Sequence, residues 1–262
     1  MTEQRAQVLL EDLEKVLQDF IHKHRVTHDE YRVATEVLVE TVRAGEESML
    51  FDVFLEAAAT DVDNIVKAGS MASIEGPFYL PDAPVLQPPY VLPQRADEQG
   101  DVLIFYGTVT GAEGKPLAGA ELDMWQADAK GHYSNIHPDV PPLNLRGRFH
   151  TDADGNFEVR TILPSAYPIP QDGPTGIVLN VLGRPFFRPA HLHLKLRHPG
   201  YEELISQLYF SGDQWLDNDV AKAVRGELVL TATRHDAPAD LAARGLSKPY
   251  LSARYDFALD NL

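Results

Sequence analysis

Between His191 and Leu196 the chain reads HLHLKL, with apolar and polar residues in strict alternation. A period of two marks an extended strand, whose successive side chains point to opposite faces. Leu192, Leu194 and Leu196 then share one face, and His191 and His193 share the other. Two imidazoles aimed at one spot form a metal-ligand pair. The same spacing suits two polar residues on the solvent face of an amphipathic strand, and this stretch alone does not separate the two readings.

The surroundings are also β in character. VLIFYGTVT and AELDMWQA are joined by the turn-rich GAEGKPLAG, and RGRFHT and NFEVRTI flank Asp152-Ala153-Asp154-Gly155, a hairpin signal. LISQLYF, ELVLTAT and ARYDFAL supply further strands. Many short strands punctuated by Gly, Pro and Asp point to a β-sandwich. The first 65 residues differ. Leu9, Leu10, Leu13, Val16, Leu17, Phe20 and Ile21 recur at helical spacing. Thr27-His28-Asp29-Glu30 is a capping box opening a second helix that should end at Gly45, and Met49 to Ala59 reads as a third. The expected fold is mainly β with an N-terminal α segment. Residues 1–72 are the helical segment, 73–100 a proline-rich connector, and 101–262 the β-sandwich. The apolar stripe of the first helix is expected to be covered by the sandwich or by a second subunit.

Charge and composition narrow the function. A net charge of −16 disfavours nucleic acid and anionic membrane as partners, since both repel it. The absence of cysteine excludes disulfides, thiolate metal sites and a cysteine nucleophile. Any metal must be held by nitrogen and oxygen. The N-terminal stretch has no continuous apolar run, so it reads neither as a signal peptide nor as a membrane span, and the expected location is cytoplasmic.

Two tyrosines precede the histidine pair in irregular, turn-rich segments: Tyr133 in AKGHYSN and Tyr167 in LPSAYPIPQDGPTG. A tyrosine beside prolines usually packs with its hydroxyl at the surface. Taken with His191 and His193, the two complete a set of two neutral imidazoles and two phenolates. That hard donor set, carrying two negative charges, suits a trivalent ion such as Fe(III) better than zinc. A bound cation lowers phenol acidity enough for tyrosinate ligation at neutral pH.

These segments resemble the intradiol ring-cleavage dioxygenases of the catechol 1,2-dioxygenase group. Phe105, Gly107 and Val109 lead to Gly114, Leu117, Leu122-Asp123-Met124 and Gly131-His132-Tyr133; RTILPSAYPIPQDGPTG, RPAHLHLKL and the upstream IEGPFY also fit. The resemblance implies a non-haem Fe(III) held by Tyr133, Tyr167, His191 and His193. It implies that Tyr167 also takes up a substrate proton, that Arg188 faces the substrate and that Gln207 lies beside the metal. It further implies an aromatic diol and O2 as substrates, and a homodimer whose helical segment forms the interface and can hold a phospholipid. The connector would line the active site, and the cleft walls would be Leu50, Asp52, Val53, Ile74, Pro77, Phe78, Tyr79, Val220 and Ala221.

YPIPQDGPTG resembles the chlorocatechol and hydroxyquinol branches, LFDVFLEA the chlorocatechol branch, and IEGPFY the catechol and chlorocatechol pattern. The expected activity is cleavage of catechol or substituted, chlorinated catechols to cis,cis-muconates. A hydroxyquinol 1,2-dioxygenase is the alternative. A copper- or zinc-binding sandwich without oxygenase activity, and a carbohydrate- or protein-binding sandwich without metal, are the competing classes.

Overall fold

The computed structural model describes residues 1–262. The chain divides into two compact units, Met1–Glu47 and Ser48–Leu262. The first consists of α1 (Glu3–His24) and α2 (His28–Arg43). At the start of α2 the Thr27 hydroxyl accepts from the Glu30 backbone N–H while the Glu30 carboxylate accepts from the Thr27 N–H, so the capping box forms as expected. Arg25 ends α1 in the left-handed conformation.

The expected third helix is observed with an added feature. α3 (Glu47–Phe51) runs through a π-helical turn (Asp52–Glu56) into α4 (Ala57–Asn64). It belongs almost wholly to the second unit, so the boundary falls near residue 47, earlier than the expected boundary at 72. A π turn re-aims side chains that a regular helix would place elsewhere, and such turns occur often at functional sites. Here it carries Asp52 and Val53.

Thirteen strands follow: β1 (Tyr90–Val91), β2 (Val102–Gly111), β3 (Glu121–Gln126), β4 (Arg146–His150), β5 (Asn156–Ile162), β6 (Tyr167–Pro168), β7 (Phe187–Arg188), β8 (His191–Arg197), β9 (Leu204–Phe210), β10 (Val229–Leu230), β11 (Thr233–His235), β12 (Tyr250–Arg254) and β13 (Phe257–Leu259). One sheet runs β1-β5-β2-β12-β11, with β13 also on β2; the other runs β10-β9-β8-β3-β4; β6 and β7 make a separate ribbon. Two short helices, α5 (Pro174–Val181) and α6 (Pro238–Ala243), interrupt the strands. Leu103, Phe105, Phe157 and Val159 of the first sheet meet Leu122, Met124, Phe149, Leu192 and Leu194 of the second in one buried cluster. Two sheets joined by such a core form a β-sandwich.

Two expected strands differ. ELVLTAT divides into β10, which pairs with β9, and β11, which pairs with β12 in the opposite sheet. A run of β-forming residues marks extended backbone but not the sheet it joins. ARYDFAL divides into β12 and β13, both parallel to β2. Between them the Tyr255 carbonyl passes so close to Gly107 that a Cβ there would sit 1.8 Å from the oxygen. The Asp256 carboxylate accepts the Thr108 N–H at 2.9 Å, in place of a ladder bond. The proline-rich connector is packed rather than loose: Ile74, Ala83 and Leu92 are buried, and Leu86 and Arg148 tie it to the edge strand β4.

Candidate active site

The register of the second sheet assembles the site. Arg146 of β4 lies opposite Trp125 of β3, Trp125 opposite His193 of β8, and His193 opposite Gln207 of β9. These four side chains form one cross-strand row on the face turned away from the sandwich core. His191 stands in the adjoining row, opposite Tyr209. Loops cover this outer face, so all of β8 from His191 to Leu196 is buried on both sides. The histidines are therefore not on a solvent face, which removes one of the two readings of HLHLKL.

Tyr167 and Arg188 arrive together, as directly opposed residues of the β6–β7 ribbon. Tyr133 arrives on the loop after β3. Asp128 organises this loop, its carboxylate accepting the backbone N–H groups of Lys130 and His132. Gly131 has φ +84°, and a Cβ on it would lie 2.7 Å from Cβ of Tyr167. Only glycine permits both the left-handed conformation and the close approach of the two tyrosine-bearing segments.

Tyr133 Oη lies 3.1 Å from His193 Nε2, and the Nε2 atoms of His191 and His193 are 3.0 Å apart. The Tyr133 and Tyr167 rings meet edge-on at 5.2 Å, and Tyr167 packs 5.7 Å from His191. All four side chains are buried. His191 Nδ1 lies 2.7 Å from the Pro189 carbonyl, and His193 Nδ1 lies 3.3 Å from Gln207 Nε2. The carbonyl assigns the His191 ring proton to Nδ1 and turns its Nε2 lone pair toward His193. Burial, with Arg188 adding to it, lowers the His191 pKa to about 3; burial, then His191, lowers that of His193 well below its usual value. Burial pushes both phenols upward.

Two neutral imidazoles whose Nε2 atoms converge at 3.0 Å can share a cation between them. A cation satisfies them and offsets the desolvation that keeps the phenols protonated. No group of three or more His, Cys, Asp or Glu side chains able to hold a metal occurs anywhere in the chain. The donors gathered here, two imidazoles and two tyrosine hydroxyls, fit a hard trivalent ion.

Arg188 is buried beside them. Its Nε donates to Asp219 Oδ1 at 3.0 Å, and its Nη2 donates to Gln207 Oε1 at 2.9 Å, Tyr209 Oη at 3.1 Å and Asp219 Oδ2 at 3.2 Å. Gln207 Nε2 donates to the Ile74 carbonyl, which fixes the amide orientation. Burial opposes both charges of the pair, yet Asp219, Tyr209 and Tyr167 hold Arg188 well above its usual pKa, and Arg188 holds Asp219 below its own.

A narrow cleft opens onto Tyr167 and Arg188. Its walls are Met49, Asp52, Val53, Ile74, Gly76, Pro77, Phe78, Ile169 and Ala221. Asp52, Val53, Ile74, Pro77, Phe78 and Ala221 stand where expected. Leu50, Tyr79 and Val220 do not line it. Tyr79 turns to Trp125 and donates to Asp123, with Lys195 over its ring; Val220 packs with Val53, Ile169 and Leu179; Leu50 is buried one position away from Met49, which takes its place. Met49, Asp52 and Val53 share one face of the helix at i, i+3 and i+4 spacing, which accounts for Met49 on the wall in place of Leu50. Asp219 and Ile169 carry no local signal. Tyr209 follows from register, two residues beyond Gln207 on the same face.

Comparison with known proteins agrees with this architecture. A dioxygenase family model matches residues 74–261, and the chain belongs to that family. The curated relatives include the chlorocatechol 1,2-dioxygenase of Rhodococcus opacus, 38% identical over 239 residues, 90% of this chain and 93% of that protein. They also include the catechol 1,2-dioxygenase of Acinetobacter baylyi, 34% identical over 97% of this chain and 83% of that protein. The crystal structure of 3-chlorocatechol 1,2-dioxygenase from Rhodococcus opacus 1CP superposes with a TM-score of 0.92 at 40% identity, covering both chains completely. Within the family, this chain stands among the intradiol ring-cleavage enzymes of the catechol and chlorocatechol 1,2-dioxygenase group.

Proposed function

We propose that the protein is a cytoplasmic Fe(III) dioxygenase that cleaves catechols between their two hydroxyl-bearing carbons, with chlorinated catechols among its substrates. One observation carries the reading: two buried imidazole Nε2 atoms 3.0 Å apart converge with a buried tyrosine hydroxyl beside a second tyrosine, against a fixed arginine. Tyr133, Tyr167, His191 and His193 would hold the metal. When bound, Fe(III) supplies Lewis acidity toward a chelated diol and primes it for reaction with O2. Both oxygen atoms enter the product, one at each carbon of the broken bond, giving a cis,cis-muconate.

The chain's own residues perform the remaining tasks. Tyr167 Oη accepts a proton from the entering diol. Arg188, opposite Tyr167, faces the negative charge that develops on the substrate and stabilises it in a site from which water is excluded. Asp219, Gln207 and Tyr209 hold the guanidinium still, so no reorganisation is needed as that charge develops. Val53, Ile74, Pro77, Phe78, Ile169 and Ala221 give the ring an apolar slot, and the small Ala221 leaves room for a substituent. A single substituent changes binding in such a slot by only about 1–3 kcal/mol, so activities on several catechols overlap. Asp52 is the acidic residue of the wall and offers an acceptor to a third ring hydroxyl, the one observation that favours hydroxyquinol.

The test is an optical spectrum of the purified protein, followed by anaerobic addition of catechol, 4-chlorocatechol and hydroxyquinol. A broad visible band that shifts with diol, and muconate absorbance once oxygen enters, is the expected result. Competition among the three diols ranks them. A colourless protein with stoichiometric zinc or copper that resists iron loading would overturn the proposal.

A further inference from the structure

Arg146 is an unusual residue for its position. It opens β4, is 1% exposed, and ends the cross-strand row Arg146, Trp125, His193, Gln207. Its Nε donates to Ser134 Oγ at 2.7 Å and its Nη2 to the Ser134 carbonyl at 3.3 Å. These bonds satisfy donors but bring no negative charge. No carboxylate forms an ion pair with it. Asp123, the nearest acidic influence, is already engaged by Tyr79 and lies within ion-pair distance of Arg197. A buried cation without a counter-ion is costly. Tyr133, the residue before Ser134, can supply the missing charge when ionised: the guanidinium carbon is 6.0 Å from its ring centroid.

We propose that Arg146 is a positioning residue for Tyr133, pinning its segment through Ser134 and placing a fixed positive charge behind the ring as countercharge to the tyrosinate ligand. The assignment rests on the ferric reading of the site. It gives Tyr133 a cationic neighbour behind its ring in addition to Arg188, which acts on both tyrosines.

The readout is the tyrosinate-to-Fe(III) band of the substrate-free protein, with iron retention against a chelator as a second measure. A phenolate deprived of a neighbouring cation gives up an electron more readily. Arg146→Gln, which keeps hydrogen-bonding capacity but loses the charge, is therefore expected to move the band to longer wavelength and weaken iron retention about tenfold or more, the scale of a desolvated cation–ring contact. Arg146→Lys keeps the charge and is expected to leave the band near its wild-type position. Arg148→Gln, two residues along the same strand, is the control and leaves it unchanged. An unshifted band in R146Q, or equal shifts in R146Q and R146K, overturns the proposal. If R146Q does not fold, Arg146→Met, which fills the buried space without charge, takes its place: a band moved to longer wavelength supports the proposal and an unmoved band overturns it. A wild-type protein that takes up iron without any such band removes the ferric tyrosinate reading itself, a failure distinct from unshifted variants.

Discussion

Arg188 brings a positive charge into a region from which water is nearly excluded, and Asp219 makes that tolerable. The Asp219 carboxylate accepts two hydrogen bonds from the guanidinium and two more from the backbone N–H groups of Ala221 and Ala223. One side chain thus fixes both the arginine and the loop that brings Ala221 to the cleft. Asp219→Asn leaves the arginine buried without its counter-ion. The expected loss is about 3–5 kcal/mol of stability, read from urea unfolding curves. Its pH dependence has a definite sign. Asp219 has a folded pKa below its unfolded value near 3.8, so its contribution is complete above that pH and is lost as pH falls through the lower folded value. The stability gap between wild type and D219N should therefore be constant near neutrality and close in acid. A gap that persists unchanged below pH 3 would contradict the ion-pair account. Gly131→Ala acts by geometry instead. Backbone strain alone costs about 1–3 kcal/mol, and the new methyl presses on Tyr167. A lower melting temperature together with reduced iron content is expected.

Elements differ in how far the sequence reveals them, and the difference follows the range of the interactions. The capping box of α2 is legible because every atom involved lies within four residues. Thr27→Ala should cost about 0.5–2 kcal/mol, seen as an earlier helical melt by circular dichroism. β8 is legible as a strand because alternation is local, yet its second buried face is not, since that face is covered by loops distant in sequence. The four donors Tyr133, Tyr167, His191 and His193 could be nominated from residue type and family resemblance. Their meeting point could not, because it depends on the β3–β8 register and on the β6–β7 ribbon. The π turn was invisible for another reason: it inserts one residue into an otherwise ordinary helical pattern. The partnership of Arg188 with Asp219 joins residues on either side of β8 and β9, and the alternation of those strands does not say that their flanking segments meet.

At the scale of the whole molecule, the catalytic face is buried within the second unit while the helical unit leaves apolar surface uncovered. No side chain of α1 is buried, and Leu9, Leu10, Leu13, Val16, Leu17 and Phe20 are all exposed. A contiguous apolar stripe of this length marks an interaction surface. No helix is long and apolar enough to cross a membrane, and the net charge of −16 disfavours anionic lipid surfaces. A second copy is the occupant that both the stripe and the family resemblance support, with a phospholipid acyl chain as the other apolar candidate. Native protein is expected to sediment at twice 29.1 kDa. Replacing Leu13 and Leu17 together by Glu puts two like charges one turn apart into that stripe, and should yield a monomer that keeps its visible band, because no ligand lies in the helical unit. A double variant that remains dimeric would place the interface elsewhere. Lipid in organic extracts of the native dimer, lost in the variant, would show that the stripe holds an acyl chain as well as a second helix.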